Sequence, residues 1–162
     1  MIDPIQKIMT SAQALEWRVS LRESGRSLVL TNGCFDLMHR GHAAYLVEAR
    51  AAGDALLVAL NSDASVAAIK GPGRPVVPES DRAYLLAALA SVDTVMIFDD
   101  ADALEVIRAI EPDVYVKGGN YREDTLNRDE HALLKEMDCE IRLVSLVDGL
   151  STSDIIARIR SE

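Results

Sequence analysis

Apolar residues recur along this chain in two alternating patterns. Short runs rich in Leu and β-branched residues cover 27–31, 55–60, 94–98, 114–116 and 140–144. Between them, 42–52, 79–90, 102–110 and 129–137 carry apolar residues at helical spacing. A last helix is predicted over 153–160, and a leading amphipathic helix within 1–26, around Ala14, Leu15 and Val19. The strand runs are apolar throughout instead of alternating with polar residues, which marks strands buried on both faces. Strands and helices alternating in this way predict an α/β domain over 27–162, with a parallel sheet and right-handed crossovers. The one long irregular stretch, 70–78, holds two Gly and three Pro.

Composition narrows the class. A length of 162 residues suits one domain, and 49% hydrophobic with 27% charged residues excludes disorder, collagen and coiled coil. Lys and Arg number 17 against 26 Asp and Glu, a net charge of -9 that disfavours nucleic acid and anionic membranes as partners. Such a balance still allows a locally positive pocket for a small phosphate ligand. Cys34 and Cys139 make no disulfide framework and read as reduced thiols. The opening Met1-Ile2-Asp3-Pro4 carries no signal-peptide pattern, and no apolar run approaches the ~20 residues of a membrane span. A cytoplasmic protein is expected.

In a doubly wound parallel sheet, ligands bind beyond the carboxyl ends of the strands. The first such loop runs Thr31-Asn32-Gly33-Cys34-Phe35-Asp36 and on through His39-Arg40-Gly41-His42. Gly33 and Gly41 permit close backbone approach, and two histidines three apart at a helix start suit an anion. Two other readings are open: one His caps the helix while the other packs, or the pair joins Cys34, Asp36 and His131 around a metal. The second loop brings Asn61, Ser62 and Asp63, then Lys70 and Arg74 around a Gly/Pro hinge, with Arg82 on the next helix behind Glu79. Val76 stands where a dinucleotide fingerprint needs its third Gly, and there is no Walker A sequence. The fourth strand ends in Lys117-Gly118-Gly119-Asn120-Tyr121, and Ser151-Thr152-Ser153 opens the last helix as an N-cap. Donors and cations thus gather at four strand ends without a nucleophile–base pair, which points to phosphate handling by electrostatics.

Gly33-Cys34-Phe35-Asp36 with His39-Arg40-Gly41-His42, and Leu150-Ser151-Thr152-Ser153 near the end, resemble the two motifs of the HxGH-type nucleotidyltransferases, in their cytidylyltransferase-like branch. Asn61-Ser62-Asp63-Ala64-Ser65, Lys70-Gly71 with Arg74-Pro75-Val76, and Val116-Lys117-Gly118-Gly119 are similar to the adenylyltransferases that make ADP-heptose for lipopolysaccharide. Asn120 and Ser153 depart from that pattern, where Asp and Thr are usual. The resemblance implies a Rossmann-like three-layer sandwich on a five-stranded parallel sheet of order 3-2-1-4-5. It implies transfer of AMP from ATP to a sugar 1-phosphate, a magnesium ion carried by the triphosphate with no protein metal ligand, a homodimer, and a separate heptose kinase.

Under this resemblance His39, His42 and Lys70 are catalytic. Thr31, Asn32, Gly33, Cys34, Phe35, Gly41, Asn61, Asp63, Arg82, Val116, Lys117, Gly118, Ser151, Thr152 and Ser153 bind the nucleotide. Asp36, Arg74, Gly119, Asn120 and Tyr121 serve the acceptor side, with Asp36 orienting the first loop. Family members that use CTP with glycerol 3-phosphate, or ATP with flavin mononucleotide, are the alternatives, beside a non-catalytic nucleotide sensor and a zinc hydrolase.

Overall fold

The computed structural model describes residues 3–118, 126–144 and 151–161. After a 3₁₀ turn at Pro4–Lys7 the chain forms β1 (Ile8–Met9), α1 (Ser11–Glu23), β2 (Leu28–Gly33) and α2 (Arg40–Arg50). It continues through β3 (Ala55–Asn61), α3 (Asp63–Lys70), α4 (Glu79–Ala88), β4 (Thr94–Phe98) and α5 (Leu104–Ile110). β5 (Val114–Gly118), α6 (Arg128–Glu136), β6 (Glu140–Val144) and α7 (Thr152–Arg160) complete it.

The sheet has the order β1-β4-β3-β2-β5-β6, with every pairing parallel. The five strands expected from sequence keep their expected order. The expected strand number is corrected to six, because β1 adds to the outer edge of β4 through Ile8↔Val95 and Met9↔Met96. Two residues are too few to show a period, so this strand has no pattern to read. Lys7 anchors the segment by donating to the Leu89 and Val92 carbonyls at 3.2 and 2.8 Å, where α4 runs out. A second difference is α3, which occupies the start of the stretch read as loop; Ser62 caps it by accepting the Ser65 N–H at 3.2 Å.

Successive residues of each central strand point into opposite layers, as the pleat requires. Leu28, Leu30, Leu57, Ala59 and Tyr115 pack against α1, α5 and α6, while Val29, Leu56, Val58, Leu60 and Val116 pack against α2 and α4. All seven residues of β3 are buried. That two-sided burial is why the strand runs read as continuously apolar, and it makes the fold a three-layer, Rossmann-like sandwich. From β2 the chain winds outward to β3 and β4, then crosses to β5 on the other side of β2. The switch point therefore lies between the carboxyl ends of β2 and β5, where the crevice opens.

One buried cation joins the layers at the opposite end of the sheet. Arg18, 3% exposed, donates to both Asp113 oxygens at 2.9 and 3.1 Å and to the Ile110 and Glu111 carbonyls at the end of α5. Asp113 also accepts the Leu28 N–H at 2.6 Å, so α1, α5 and the start of β2 share one carboxylate. Its pKa is held below the usual carboxylate range, since Arg18 and the Leu28 N–H outweigh burial, which acts the other way. Arg18→Met removes the donor of the Ile110 carbonyl and takes two hydrogen bonds from Asp113, whose side chain stays half-exposed. It is expected to cost about 1–2 kcal/mol, read as a lower urea midpoint at unchanged m-value; an unchanged midpoint would contradict the assignment.

Candidate active site

A cleft of about 450 Å³ opens at the switch point. Its walls include Asn32, Gly33, Cys34, Phe35 and Asp36 from the end of β2 and the following loop, and His42 and Tyr45 from α2. Asn61, Ile69, Lys70 and Arg74 approach from α3 and its flanks, Lys117 and Gly118 from β5, and Thr152 and Ser153 from α7. A second cavity of about 320 Å³ adjoins it and shares Lys70, Arg74 and Ser153.

The histidines are set by the start of α2. His39 caps the helix, its Nδ1 accepting the Gly41 N–H at 3.0 Å, and His42 Nδ1 accepts the His39 N–H at 3.3 Å. The two rings lie 4.1 Å apart between centroids. A ring nitrogen that accepts an N–H carries no proton, so each neutral imidazole bears its hydrogen on Nε2. Burial, with the neighbouring His39 in support, pushes the His42 pKa down to about 4. Near neutral pH His42 is therefore an uncharged donor at the positive end of a helix dipole. The loop leading there is bent tightly, with Phe35 and Leu37 both at φ 45°, a region that side-chain-bearing residues rarely adopt.

Two buried charges of opposite sign hold the loops around the cleft. Asp36, 2% exposed, accepts from Arg74 Nε at 2.8 Å and from the Val76 and Val77 N–H groups at 2.9 and 3.0 Å. Burial would raise its pKa, but those donors prevail and keep it lowered. The Asp36 carbonyl also accepts from Thr152 Oγ1 at 2.8 Å, which brings the first turn of α7 to the same place. Arg82, 1% exposed, donates to the carbonyls of Cys34, Asn61 and Val77 at 2.6, 2.9 and 2.9 Å and to Asp63 at 2.7 Å. Its guanidinium is thus engaged with the protein's own main chain. Lys70 is exposed at the end of α3, followed by Gly71 and Gly73 at φ 85° and 81°, conformations that suit glycine.

On the β5 side, Asn32 Oδ1 accepts from Tyr115 OH at 2.7 Å and from Lys117 Nζ at 2.8 Å. Behind them the buried Glu130 accepts the Ala103 N–H at 2.8 Å and reaches Tyr115 OH at 3.3 Å. Burial lowers the Lys117 pKa, against the pull of Glu130. Tyr45 donates to the Val116 carbonyl at 2.9 Å, so Thr31 Oγ1 is left to donate to Tyr45 at 2.5 Å. Gly118 lies against the same ring; a Cβ there would stand 2.6 Å from Tyr45 Cε2.

Most of the residues singled out in the sequence therefore meet in one cleft. Thr31 and Val116 are fully buried in the strands beneath it, and His39, Gly41, Asp63, Arg82 and Ser151 do not line it but stand on the segments that do. Gly119, Asn120 and Tyr121 lie outside the described residues. The set once weighed for a metal is not assembled: Asp36 is committed to Arg74 and two N–H groups, and His131 belongs to α6, on the other face of the sheet from α2. Among the described residues no group of three or more His, Cys, Asp or Glu is placed to hold an ion. Sequence reasoning missed Tyr45, Tyr115 and Glu130. Glu130 had a signal, a carboxylate four residues before the buried Leu134 on the same face of α6; Tyr45 had one too, three residues after His42 on the same helix face.

The cytidylyltransferase-like family profile matches residues 30–158. The bifunctional protein HldE of Syntrophotalea carbinolica is 47% identical over 138 residues, 85% of this chain and 28% of that protein. HldE of Wolinella succinogenes is 46% identical over 159 residues, 98% of this chain and 30% of that protein. The chain thus spans less than a third of the length of these relatives. Among solved structures, a lipopolysaccharide core biosynthesis protein from Thermoplasma volcanium superposes with a TM-score of 0.60 at 25% identity, over 76% of this chain and 98% of that one. Pantothenate synthetase from Thermus thermophilus, 14% identical, gives the same TM-score and shares the fold. No helix among the described residues is long and apolar enough to cross a membrane.

The depressed His42 pKa has a thermodynamic consequence. The folded group titrates near 4 and an unfolded histidine near 6.5, so as pH falls below 6.5 the unfolded chain takes up the proton first. Stability is lost between pH 6.5 and 4. His42→Asn keeps an acceptor for the His39 N–H and removes the titration, so its urea midpoint is expected to fall less over that interval than the wild type's. Equal slopes would contradict the assigned environment.

Proposed function

The chain belongs to the cytidylyltransferase-like family of nucleotidyltransferases, and from that premise we propose that it moves AMP from ATP to a sugar 1-phosphate, releasing pyrophosphate. D-glycero-β-D-manno-heptose 1-phosphate is the first acceptor in this reading. The HldE relatives and the lipopolysaccharide core biosynthesis neighbour support a sugar acceptor of that kind. The observation that carries the reaction type is the His39–His42 pair at the start of α2, with His42, Lys70 and Arg74 on the same cleft.

The acceptor phosphate is largely dianionic near pH 7, its second pKa being about 6, so the attack needs no general base. An acceptor oxygen bonds to the α-phosphorus while the bridging bond to the β-phosphate breaks, and pyrophosphate departs with the electron pair. The protein then has to align the reactants and meet charge as it grows. His42 Nε2–H and His39 Nε2–H are suited to donate to phosphoryl oxygens, and Lys70 to follow the reacting phosphates on its glycine-flanked hinge. The amides and hydroxyls of Ser151, Thr152 and Ser153 suit the departing pyrophosphate. Main chain at Val116–Gly118 suits adenine.

The donor set also fits a magnesium ion carried by the nucleotide. The described cleft walls offer cations, hydroxyls and N–H groups, and their one carboxylate, Asp36, is already taken, so the triphosphate's own oxygens would hold the ion. When bound, the ion neutralises phosphate charge. A sugar 1-phosphate substrate implies a sugar kinase that supplies it, and two unpaired thiols suit a reducing cytoplasm. A homodimer belongs to the same reading.

Pyrophosphate release tests this directly, with ATP, CTP and GTP each offered against heptose 1-phosphates, glycerol 3-phosphate and flavin mononucleotide. Turnover is expected with ATP and a heptose 1-phosphate. Removing one transition-state donor costs about 10²–10³ in rate, so His42→Ala should lower kcat by that factor while the KM for ATP changes far less. Full activity in that variant would sink the assigned role.

A further inference from the structure

Lysine can only donate, so whichever atom of Asn32 faces the Lys117 ammonium at 2.8 Å must be the carboxamide oxygen. Tyr115 OH points to the same oxygen at 2.7 Å. Turning the amide over would set its NH₂ group against the ammonium and the Tyr115 hydroxyl, which would both lose their acceptor. The frame behind this lock is itself buried: Tyr115 is fully covered and its hydroxyl accepts from Lys117 Nζ at 3.3 Å, while Glu130, 4% exposed, accepts the Ala103 N–H and lies 3.3 Å behind that hydroxyl. Asn32 Nδ2 faces the other way, and among the described residues it meets no protein acceptor. Asn32 is half-buried and lies on the cleft wall between the β5 end and the histidine loop.

We propose that Asn32 is a specificity-determining residue, its carboxamide locked by Lys117 and Tyr115 as a donor that reads a hydrogen-bond-accepting oxygen on a bound substrate. Tyr115 and Glu130 are positioning residues that act through it. The ligand chemistry is an oxygen with lone pairs toward the wall, of the phosphoryl or hydroxyl kind, on either the nucleotide or the acceptor. An amino group in that place is rejected, because two donors would face each other in a partly dehydrated site. This deepens the transfer reading above and rests on it only for the identity of the two ligands.

Asn32→Asp is the discriminating variant. It keeps an oxygen for Lys117 and Tyr115 and the number of non-hydrogen atoms, and replaces the outward NH₂ by an anionic acceptor. Binding of ATP and of heptose 1-phosphate is measured separately by calorimetry, beside KM and kcat for each. The melting temperature is expected to stay or rise, while affinity for one of the two ligands falls about 10–100-fold, the range of a hydrogen bond to a charged group. Loss on the ATP arm assigns the oxygen to the nucleotide; loss on the sugar phosphate arm assigns it to the acceptor. Tyr115→Phe should raise the KM of the same ligand by less, with kcat changed under about twofold. Unaltered affinity for both ligands in a folded Asn32→Asp protein would overturn the proposal. A wild type that binds ATP but turns nothing over would defeat the transfer reading, and the ATP arm would still decide for or against Asn32.

Discussion

The Asp36 carboxylate lies 2% exposed, and its charge is met by the Arg74 guanidinium and the N–H groups of Val76 and Val77. An ion buried to that degree is costly unless several donors surround it. The chain satisfies this requirement only by folding the 70–78 loop back onto the loop after β2. Arg82 imposes the mirror constraint, a buried cation that collects carbonyls from Cys34, Asn61 and Val77. Val77 serves both, through its N–H to the anion and its carbonyl to the cation. Removing either charge would strand its own partners, so the loop after β2 and the 70–78 loop hold their places through these two groups. Thr152 joins α7 to the set through the Asp36 carbonyl.

This division of labour reconciles a net charge of -9 with the proposal that the cleft takes phosphates. Some charged groups are spent internally: Arg18 on Asp113, Arg82 on Asp63 and three carbonyls. What faces the cleft is donors, neutral His42 among them, with Lys70 and Arg74 at the rim. A neutral imidazole suits this task. It keeps donating through Nε2 without the cost of a buried charge, and it gains most when negative charge grows in front of it. The sugar-phosphate reading and the Asn32 donor both draw on that excess of N–H over oxygen.

The layout of the molecule was legible wherever a period had room to appear. β2 to β6 and the long helices follow from runs and spacings because burial on one or both faces selects those residues. β1 is two residues long and leaves no period; α3, its start held by Ser62 and Glu79, does carry Ala64, Val66, Ala67 and Ile69, but it begins directly at a strand end and reads as part of the following loop. Site residues divide in the same manner. The strand-end position and the residue types together single out His39, His42 and Lys70, and the family resemblance adds Asn32. Partnership is what sequence conceals. Arg82 looks like a free cation until its four acceptors come together from two loops, a strand end and a helix start, and Tyr115 looks like core until its hydroxyl meets Asn32. These are long-range contacts, set by topology and invisible to local pattern.

The account stands on attack at the α-phosphorus, and phosphorus NMR of a single reaction with ATP, magnesium and D-glycero-β-D-manno-heptose 1-phosphate tests that most directly. Attack at the α position predicts consumption of the sugar phosphate resonance, a new pair of coupled diphosphate signals from a nucleotide-diphosphate sugar, and one equivalent of free pyrophosphate. Formation of ADP with a doubly phosphorylated sugar would place the attack at the γ-phosphorus and contradict the account.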